Sequence, residues 1–217
     1  MSRSIQPTVE IERLQTGMQA EFDGLLRIYH DAIPESERKS NEALARMLQQ
    51  HDYEFRIAKL NDSVSGFSIV KCFTDDESCL LEYMAVDRAV RSKGIGRALF
   101  RAACSSSMTS SRYVLLEVES EARSAAGHEV RRRRKQFYRN LGCREVAGLS
   151  YLMPSVTGQP PPEMNTLVYR ERLPATISKI QLRGWLECIY REVYQRSSDD
   201  PAIGLMVADL PENVELR

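Results

Sequence analysis

The feature that most constrains the fold is an apolar run that is followed, within a few residues, by two closely spaced glycines. The run CLLEYMAV covers residues 79–86, and the segment GIGRALFRAACSSS begins at Gly94, with Gly96 two positions later. The run is typical of a buried strand, and the segment is typical of a helix that packs through Ala and Leu. A strand, a short loop and such a helix in succession predict an α/β fold in which the helix covers a sheet.

Strands and helices are predicted along the rest of the chain from apolar spacing and turn residues. Further strands are predicted at 8–15, 53–60, 67–73, 112–120, 143–154 and 163–172, and further helices at 18–33, 41–50 and 129–142. Pro34 should end the first helix, Ser40 should cap the second, and Gly142 should close the third in the left-handed conformation.

The C-terminal part is predicted to add one amphipathic helix and a polar tail. The helix should begin near Thr176, and the tail should begin at Ser197. The residues expected to face inward from this helix are Ile180, Leu186, Ile189 and Val193. Packing against the body or a partner subunit is one interpretation of the helix around Trp185 and Tyr190, and a lid over a cleft is the other.

Composition narrows the class of protein. The chain has 217 residues, of which 42% are hydrophobic, and this is enough for one main domain. Its 30 basic and 30 acidic residues cancel, so the overall charge favours neither nucleic acid nor an anionic membrane as a partner. Five cysteines without a CxxC pair suggest neither a disulfide framework nor a zinc site. With no apolar leader or spanning run, we expect a soluble, cytoplasmic protein.

A helix that begins at Gly94 predicts a local anion site. The first N–H groups of a helix have no internal partners, and the helix dipole makes that end partly positive. Glycine at positions 94 and 96 keeps Cβ atoms away from these groups, and Arg91, Lys93 and Arg97 supply positive charge. The sequence therefore predicts a phosphate cradle after the strand.

Two segments carry a family resemblance. MAVDRAVRSKGIGRALF (84–100) and FYRNLGCREV (137–146) resemble motifs A and B of the GNAT superfamily of acyl-CoA-dependent N-acetyltransferases, with a departure at Cys143, where the family usually has phenylalanine. LLEVES and YLMP resemble a bacterial branch of unassigned acceptor. The resemblance implies an α/β (α+β) fold with a mixed sheet of about seven strands flanked by helices and an added C-terminal helix. It implies a domain at 7–172 and an extension at 173–217.

The resemblance also implies acetyl-CoA as co-substrate, with no metal. The strands 79–86 and 113–119 would be parallel neighbours that splay apart, and the pantetheine arm would lie in the opening. The residues expected to bind the coenzyme are Met84, Ala85, Val86, Arg91, Ser92, Lys93, Gly94, Ile95, Gly96, Arg97 and Ala98.

Acyl transfer to an amine needs a neutral nucleophile. Deprotonating a lysine-like amine of pKa ~10.4 at pH 7 costs about 4.6 kcal/mol, so a general base is useful. Glu117 is the first candidate and Glu82 the second, because family members carry the base on either strand and a carboxylate inside an apolar strand is costly. Each glutamate could instead pair with an arginine. Tyr138, at the motif B tyrosine, is expected to protonate the leaving thiolate or to contact it; core packing is the alternative.

The run Arg131–Lys135 has three interpretations. A solvated face that pairs with acidic residues ranks first, contact of one or two arginines with phosphates or an acidic acceptor ranks second, and nucleic-acid binding ranks last.

The leading hypothesis is an N-acetyltransferase that acts on a primary amine of a small molecule or peptide, as a monomer or homodimer, without nucleic-acid or membrane partners. The alternative is a catalytically silent CoA-binding regulatory module. Acceptor contacts are expected from 30–40 and 148–165, with Tyr151 at the rim.

Overall fold

A mixed sheet of seven strands forms the centre of the structure, a computed structural model that describes residues 9–121, 127–155, 158 and 161–217. The strands are β1 (Val9–Arg13), β2 (Tyr53–Leu60), β3 (Ser63–Cys72), β4 (Ser78–Val86), β5 (Tyr113–Glu119), β6 (Arg144–Glu145) and β7 (Met164–Tyr169), in the order β1-β2-β3-β4-β5-β7-β6. The helices are α1 (Gln19–Ala32), α2 (Asn41–Leu48), α3 (Ile95–Cys104), α4 (His128–Arg139), α5 (Lys179–Cys188) and α6 (Pro201–Val207). The predicted fold class is confirmed.

The predicted helix ends follow the capping residues of the sequence. The hydroxyl of Ser40 accepts the N–H of Ala43 at 3.2 Å at the start of α2. After α4, Gly142 has φ of +96°, and the N–H of Cys143 bonds to the C=O of Tyr138 at 3.1 Å. This five-residue step is the hydrogen bond of a Schellman motif, which places glycine in the left-handed position.

The hairpin between β2 and β3 is tighter than the prediction. Strand β3 begins at Ser63 rather than Phe67, because the turn consists of only two residues, Asn61 and Asp62. Both have positive φ, at 50° and 61°, as a two-residue turn of this kind requires. The segment predicted to be a long turn therefore extends the strand.

Strands β4 and β5 are parallel neighbours for only a short distance. They pair from Ser78 with Tyr113 to Leu80 with Leu115, and no later pair joins them. Beyond Leu80 the two strands diverge, which confirms the opening that the resemblance implied. The opening lies at the carboxyl ends of both strands, where ligands of α/β sheets bind.

A β-bulge in β4 changes the direction of its side chains. Ile69 of β3 pairs with Tyr83 and Val70 pairs with Leu81, so Glu82 is the extra residue. Leu81 then packs with the α3 side of the sheet and Tyr83 with the α1 side, although residues two apart normally share a face. The bulge gives Glu82 an irregular position beside the opening.

The C-terminal part is folded over its whole length, and the predicted polar tail is wrong. Thr176 begins a short strand, β8 (Thr176–Ser178), that pairs with β9 (Asn213–Glu215). Helix α5 follows β8, α6 lies within the predicted tail, and Ile180, expected inward, is 78% exposed. Trp185 packs in one core cluster with residues of the central sheet such as Leu115. Apolar residues at 203, 206, 207, 210, 214 and 216 anchor the tail in that cluster.

The strand predicted at 143–154 is also shorter than expected. Only Arg144–Glu145 forms a strand, and single bridges follow at Val146 and Tyr151. Within the described residues, no helix is long and apolar enough to cross a membrane.

Candidate functional site

A cavity of about 760 Å³ occupies the opening between β4 and β5. One side is formed by the end of β4 and the first turn of α3, and the other by β5, α4 and the segment after α1. Both glutamates predicted as bases, Glu82 and Glu117, lie on its wall, as does Tyr138. The fold thus gathers the predicted catalytic residues around one space.

The first turn of α3 has the features of an anion cradle. Gly94 precedes the helix with φ of +80°, and the helix has no side-chain cap. The first N–H to bond within the helix is that of Ala98, which reaches the C=O of Gly94 at 3.0 Å. The N–H groups of residues 95 to 97 precede this bond and lie at the partly positive end of the helix.

Gly96 lies in close contact with α4. A Cβ atom added at Gly96 would lie 3.4 Å from Cζ of Phe137 and 3.6 Å from Cγ2 of Val86. All three residues line the cavity. A larger side chain at position 96 would therefore occupy the mouth of the cradle.

Backbone groups of β4 point into the opening. The N–H of Asp87 bonds to the C=O of Ser65 on β3 at 2.9 Å. Backbone direction alternates along an antiparallel strand, so Ala85 also faces β3, and Met84 and Val86 face the other way. Met84 therefore presents its N–H and C=O to the opening and Val86 presents its N–H, while the C=O of Val86 accepts Nε of Arg91 at 3.4 Å. A polar, extended arm fits beside them.

The structure places most of the predicted coenzyme-binding residues on the cavity wall. Those on the wall are Met84, Ala85, Val86, Arg91, Ser92, Gly94, Ile95, Gly96 and Arg97. Lys93 and Ala98 are not among them. The side chain of Lys93 is exposed to solvent, and the N–H of Ala98 is already bonded within the helix. Ile95 is also a core residue, 1% exposed.

Glu117 is held by two tyrosines. Its Oε1 accepts the hydroxyl of Tyr151, and its Oε2 accepts the hydroxyl of Tyr194 at 2.6 Å. Burial raises the pKa of this carboxyl to about 7, against the lowering effect of the two hydrogen bonds and of nearby Lys39. A carboxylate that titrates near neutral pH can accept a proton from an amine and release it again.

Glu82 has a different environment. Its carboxylate contacts the ammonium of Lys39, and the two side chains are 5% and 18% exposed. The alternative of an ion pair is thus correct for Glu82, but its partner is a lysine after α1 rather than an arginine. The carboxylate of Glu82 is thus engaged by a cation, whereas the hydrogen-bond partners of Glu117 are two neutral phenols.

Tyr138 is 8% exposed and packs between Phe100 and Phe137, with ring centroids 5.7 Å and 5.1 Å away. The ring of Tyr138 belongs to the core, and the residue also lines the cavity. Its role toward the leaving thiolate stays a prediction. Burial raises the pKa of its phenol, so the hydroxyl keeps its proton at neutral pH.

The side chains of the basic run Arg131–Lys135 on α4 have three different surroundings. Arg131 and Lys135 are buried and pair with acidic residues, Arg131 with Glu119 at 3.3 Å and Lys135 with Glu145 at 2.9 Å. Arg132 is exposed and pairs with Glu129 on the same helix at 2.8 Å. Arg133 and Arg134 line the mouth of the cavity. Two of the five residues thus face the cavity, as helical geometry allows.

Sequence reasoning missed Tyr194 and Lys39, and it placed Tyr151 incorrectly. Tyr194 lies in the C-terminal extension, and Lys39 lies in a loop that was expected only to contact an acceptor. Tyr151, predicted at the rim, is 4% exposed because it packs behind Glu117. The sequence indicated Tyr194 only through its spacing, because it follows Tyr190 by four residues, about one helical turn. The expected acceptor loop 148–165 includes 156, 157, 159 and 160, which lie outside the described residues.

No group of His, Cys, Asp and Glu side chains that could hold a metal ion occurs in the described part of the chain. The polar groups on the cavity wall are instead backbone amides, arginines, carboxylates and phenols. This set fits an anionic, thioester-bearing nucleotide on one side and an amine on the other.

Comparisons with known proteins agree with this geometry. Residues 51–145 match the family model of an acetyltransferase (GNAT) domain. No curated protein gives a significant match. Three similar solved structures cover most of the chain. A GNAT-family acetyltransferase from Bacteroides thetaiotaomicron matches with 22% identity and a TM-score of 0.69, over 85% of this chain and 98% of its own.

The other two structures match over about three quarters of the chain. NAA60 of Arabidopsis thaliana, in complex with a bisubstrate analogue, matches with 17% identity and a TM-score of 0.56, over 75% of this chain and 97% of its own. The ribosomal-protein-S18-alanine N-acetyltransferase of Escherichia coli matches with 20% identity and a TM-score of 0.51, over 77% and 99%.

Residues 51–145 thus form an acetyltransferase (GNAT) domain, and the fold around them is that of the GNAT-family structure from Bacteroides thetaiotaomicron. Members of the GNAT family use acetyl-CoA as co-substrate.

Proposed function

We propose that this protein transfers an acetyl group from acetyl-CoA directly to a primary amine of a small molecule or peptide, with Glu117 as general base and Tyr138 as general acid. The observation that carries the proposal is the position of Glu117. Its carboxyl has a pKa of about 7 and lies in the opening between β4 and β5. The cradle at α3 and the carboxylate of Glu117 line one cavity.

In this proposal the coenzyme lies along the β4 side of the cavity. The amides of the first turn of α3 hold the diphosphate, with Arg91 and Arg97 as exposed cations beside it. Met84 and Val86 pair with the pantetheine through backbone groups. An N–H in this stretch can also stabilise the negative charge that develops on the thioester oxygen. The coenzyme supplies the acetyl thioester as electrophile.

The amine approaches from the side of Glu117. The carboxylates of Glu37 and Glu117 line this part of the cavity and favour an ammonium ion as it enters. The apolar side chains of Ile33, Pro34 and Met153 form the rest of that wall and can cover the carbon chain next to the amine. Glu117 then takes a proton from the ammonium, either directly or through a water, and the neutral amine can attack.

Tyr138 is the proposed proton donor to the thiolate that leaves. A free thiol has a pKa of ~8.5, so transfer from a phenol is uphill. Burial raises the pKa of Tyr138 further, but the same burial disfavours the thiolate. The two effects oppose each other, and proximity makes the transfer workable.

We also propose a division of labour along the chain. Residues 7–172 carry the acetyltransferase domain, and residues 173–217 complete its acceptor side. The N-terminal limit of this domain, residues 7 and 8, lies outside the described residues. Support comes from Tyr194, which belongs to the extension and reaches the cavity wall.

The test is a kinetic assay of thiol release with acetyl-CoA and a panel of primary amines, run between pH 5.5 and pH 9. We expect the rate to rise with pH through an apparent pKa of about 7, because Glu117 must be ionised to accept a proton. Calorimetry with acetyl-CoA should show binding at any pH in this range. Binding without turnover of any amine would refute the catalytic proposal and leave the cradle intact.

A further inference from the structure

We propose that Tyr194 of the C-terminal extension is a positioning residue, which together with Tyr151 holds the Glu117 carboxylate ionised and oriented toward the acceptor. The inference rests on the proposed function only where it calls Glu117 the base. Both tyrosines lie beyond residue 145, where the match to the acetyltransferase domain ends.

Two hydrogen bonds hold the carboxylate of Glu117. Each carboxylate oxygen accepts one phenol, Oε1 from Tyr151 and Oε2 from Tyr194. Two donors on different oxygens fix the plane of the carboxylate, which one hydrogen bond would leave free to rotate. Donation to the charged form also favours ionisation, so the tyrosines oppose the effect of burial.

Tyr194 directly follows a π-helical turn. The residues Ile189–Val193 form a π-helical turn directly after α5, and the N–H of Tyr194 bonds to the C=O of Ile189 at 3.3 Å. A π turn inserts an extra residue and rotates the residues after it, and such turns are frequent at functional sites. In this chain the turn ends at the residue that contacts Glu117.

Contacts from several elements fix the π-helical turn Ile189–Val193. The hydroxyl of Tyr190 donates to the C=O of Leu152, next to Tyr151. Glu192 pairs with Lys71 of β3 at 3.1 Å. The ammonium of Lys39, which pairs with Glu82, also reaches the C=O of Val193 at 3.4 Å. Contacts with the main domain therefore hold Tyr194 in place.

The charged and titratable groups around Glu117 come from every neighbouring element. Glu82 of β4 raises the pKa of Glu117, and Lys39 lowers it. Tyr151 and Tyr194 have pKa values well above the usual range because they are buried, so both remain donors across the working pH range. Removing one phenol should therefore change the titration of Glu117 in a known direction.

The test titrates Glu117 directly, in the full-length protein without coenzyme or acceptor. The protein is labelled with ¹³C at the glutamate side-chain carboxyl, and Glu117→Gln identifies the signal by removing it. In Tyr194→Phe we expect the midpoint to move up from about 7 by roughly one pH unit, because a donor to the charged form is lost. An unchanged midpoint in a folded Tyr194→Phe protein would overturn the proposal.

Tyr190→Phe is the matched control. It removes a phenol from the same turn, but that phenol donates to a backbone carbonyl and not to Glu117. Because Glu192 and Lys39 still hold the turn, we expect its Glu117 midpoint to stay close to that of the parent. Equal shifts in both variants would mean a general loss of packing and would overturn the proposal.

A second variant covers the case in which Tyr194→Phe does not fold. Replacing Tyr194 by 3-fluorotyrosine keeps the ring and strengthens the donor, so the Glu117 midpoint should move down. A midpoint that moves up or stays in place contradicts the proposal. The pH–rate profiles of the same proteins then test Glu117 separately. If titration shifts but the rate profile does not follow it, Tyr194 keeps its role toward the carboxylate and Glu117 loses its role as base.

Discussion

The two halves of the cavity offer different chemical groups, backbone groups in one half and side chains in the other. The half assigned to the coenzyme comes from one stretch, residues 84–97, and it offers mainly backbone N–H and C=O groups. The half assigned to the acceptor comes from separate segments that supply Lys39, Glu117, Tyr151 and Tyr194, and it works through side chains. A backbone cradle needs little more than a helix start and a glycine, whereas the side-chain cluster needs tertiary packing.

The two halves of the cavity should respond to different kinds of substitution. Substitutions other than proline leave the backbone donors in place, so the coenzyme half is disturbed chiefly by steric bulk. The acceptor half depends on individual charges and hydroxyls, so a change of one polar atom should be enough to disturb it. Single substitutions in each half can test that contrast, from the largest expected effect to the smallest.

Glu117→Gln should have the largest effect. The amide cannot accept the amine proton, so kcat should fall by roughly 10²- to 10⁴-fold, and the rise in rate near pH 7 should disappear. The Kd of acetyl-CoA should not change, because Glu117 belongs to β5 and not to the α3 turn proposed to hold the diphosphate. Steady-state kinetics and calorimetry measure the two quantities.

Glu119→Gln is the control for that substitution. Glu119 lies two residues along β5, on the same face, but it pairs with Arg131. Its removal should leave kcat within about twofold, since partly exposed pairs contribute little. Equal losses in both variants would remove Glu117 from its assigned role.

Lys39→Met should have the next largest effect, on stability. It leaves the Glu82 carboxylate buried without its cation, and breaking a buried pair in this way costs about 3 kcal/mol. The double variant Lys39→Met/Glu82→Gln removes the charge and should recover most of the loss. Urea unfolding measures all three proteins. A double variant no more stable than Lys39→Met would contradict a coupled pair.

Gly96→Val tests the steric weakness of the coenzyme half. A Cβ at this position already lies 3.4 Å from Phe137, so the two methyl groups of valine must enter the mouth of the cradle. With an overpacking cost of about 2 kcal/mol, the Kd of acetyl-CoA should rise by roughly thirtyfold. Gly94→Val should also block binding, but through backbone strain, since φ is +80° and the space around it is open.

Gly204→Val controls for the general effect of valine in a helix, because position 204 lies in α6 with nothing within 4 Å. It should leave the Kd of acetyl-CoA unchanged. Binding by Gly96→Val at the parent affinity would mean that the diphosphate does not lie over this turn.

Tyr138→Phe should have the smallest effect of the set. The ring stays in the core, so folding and coenzyme affinity should be preserved, while kcat falls about tenfold through loss of one proton donor. Tyr169→Phe, which also stacks on Phe100, is the control for a lost phenol in the same cluster. The same kcat in Tyr138→Phe and the parent would assign Tyr138 to packing alone.

The sequence predicted the main body of the fold because its signals are local. Apolar spacing located α1 and β4, Ser40 and Gly142 marked helix ends, and two glycines marked the start of α3. Prediction failed where the pattern was weak or short. Helix α6 was not predicted, because the residues after Ser197 are largely polar. The start of β3 was predicted too late, because the turn before it has only two residues.

The sequence by itself determined the cradle and its place between a strand and a helix, because neighbours in the chain build it. Only the tertiary structure decided which glutamate meets a lysine and which meets two phenols. Glu82 and Glu117 look alike as acidic residues in apolar strands, and their difference arises from Lys39, Tyr151 and Tyr194, which lie 34 or more residues away from the glutamate they contact. Such contacts depend on how helices and loops pack on the sheet, and no local spacing encodes them.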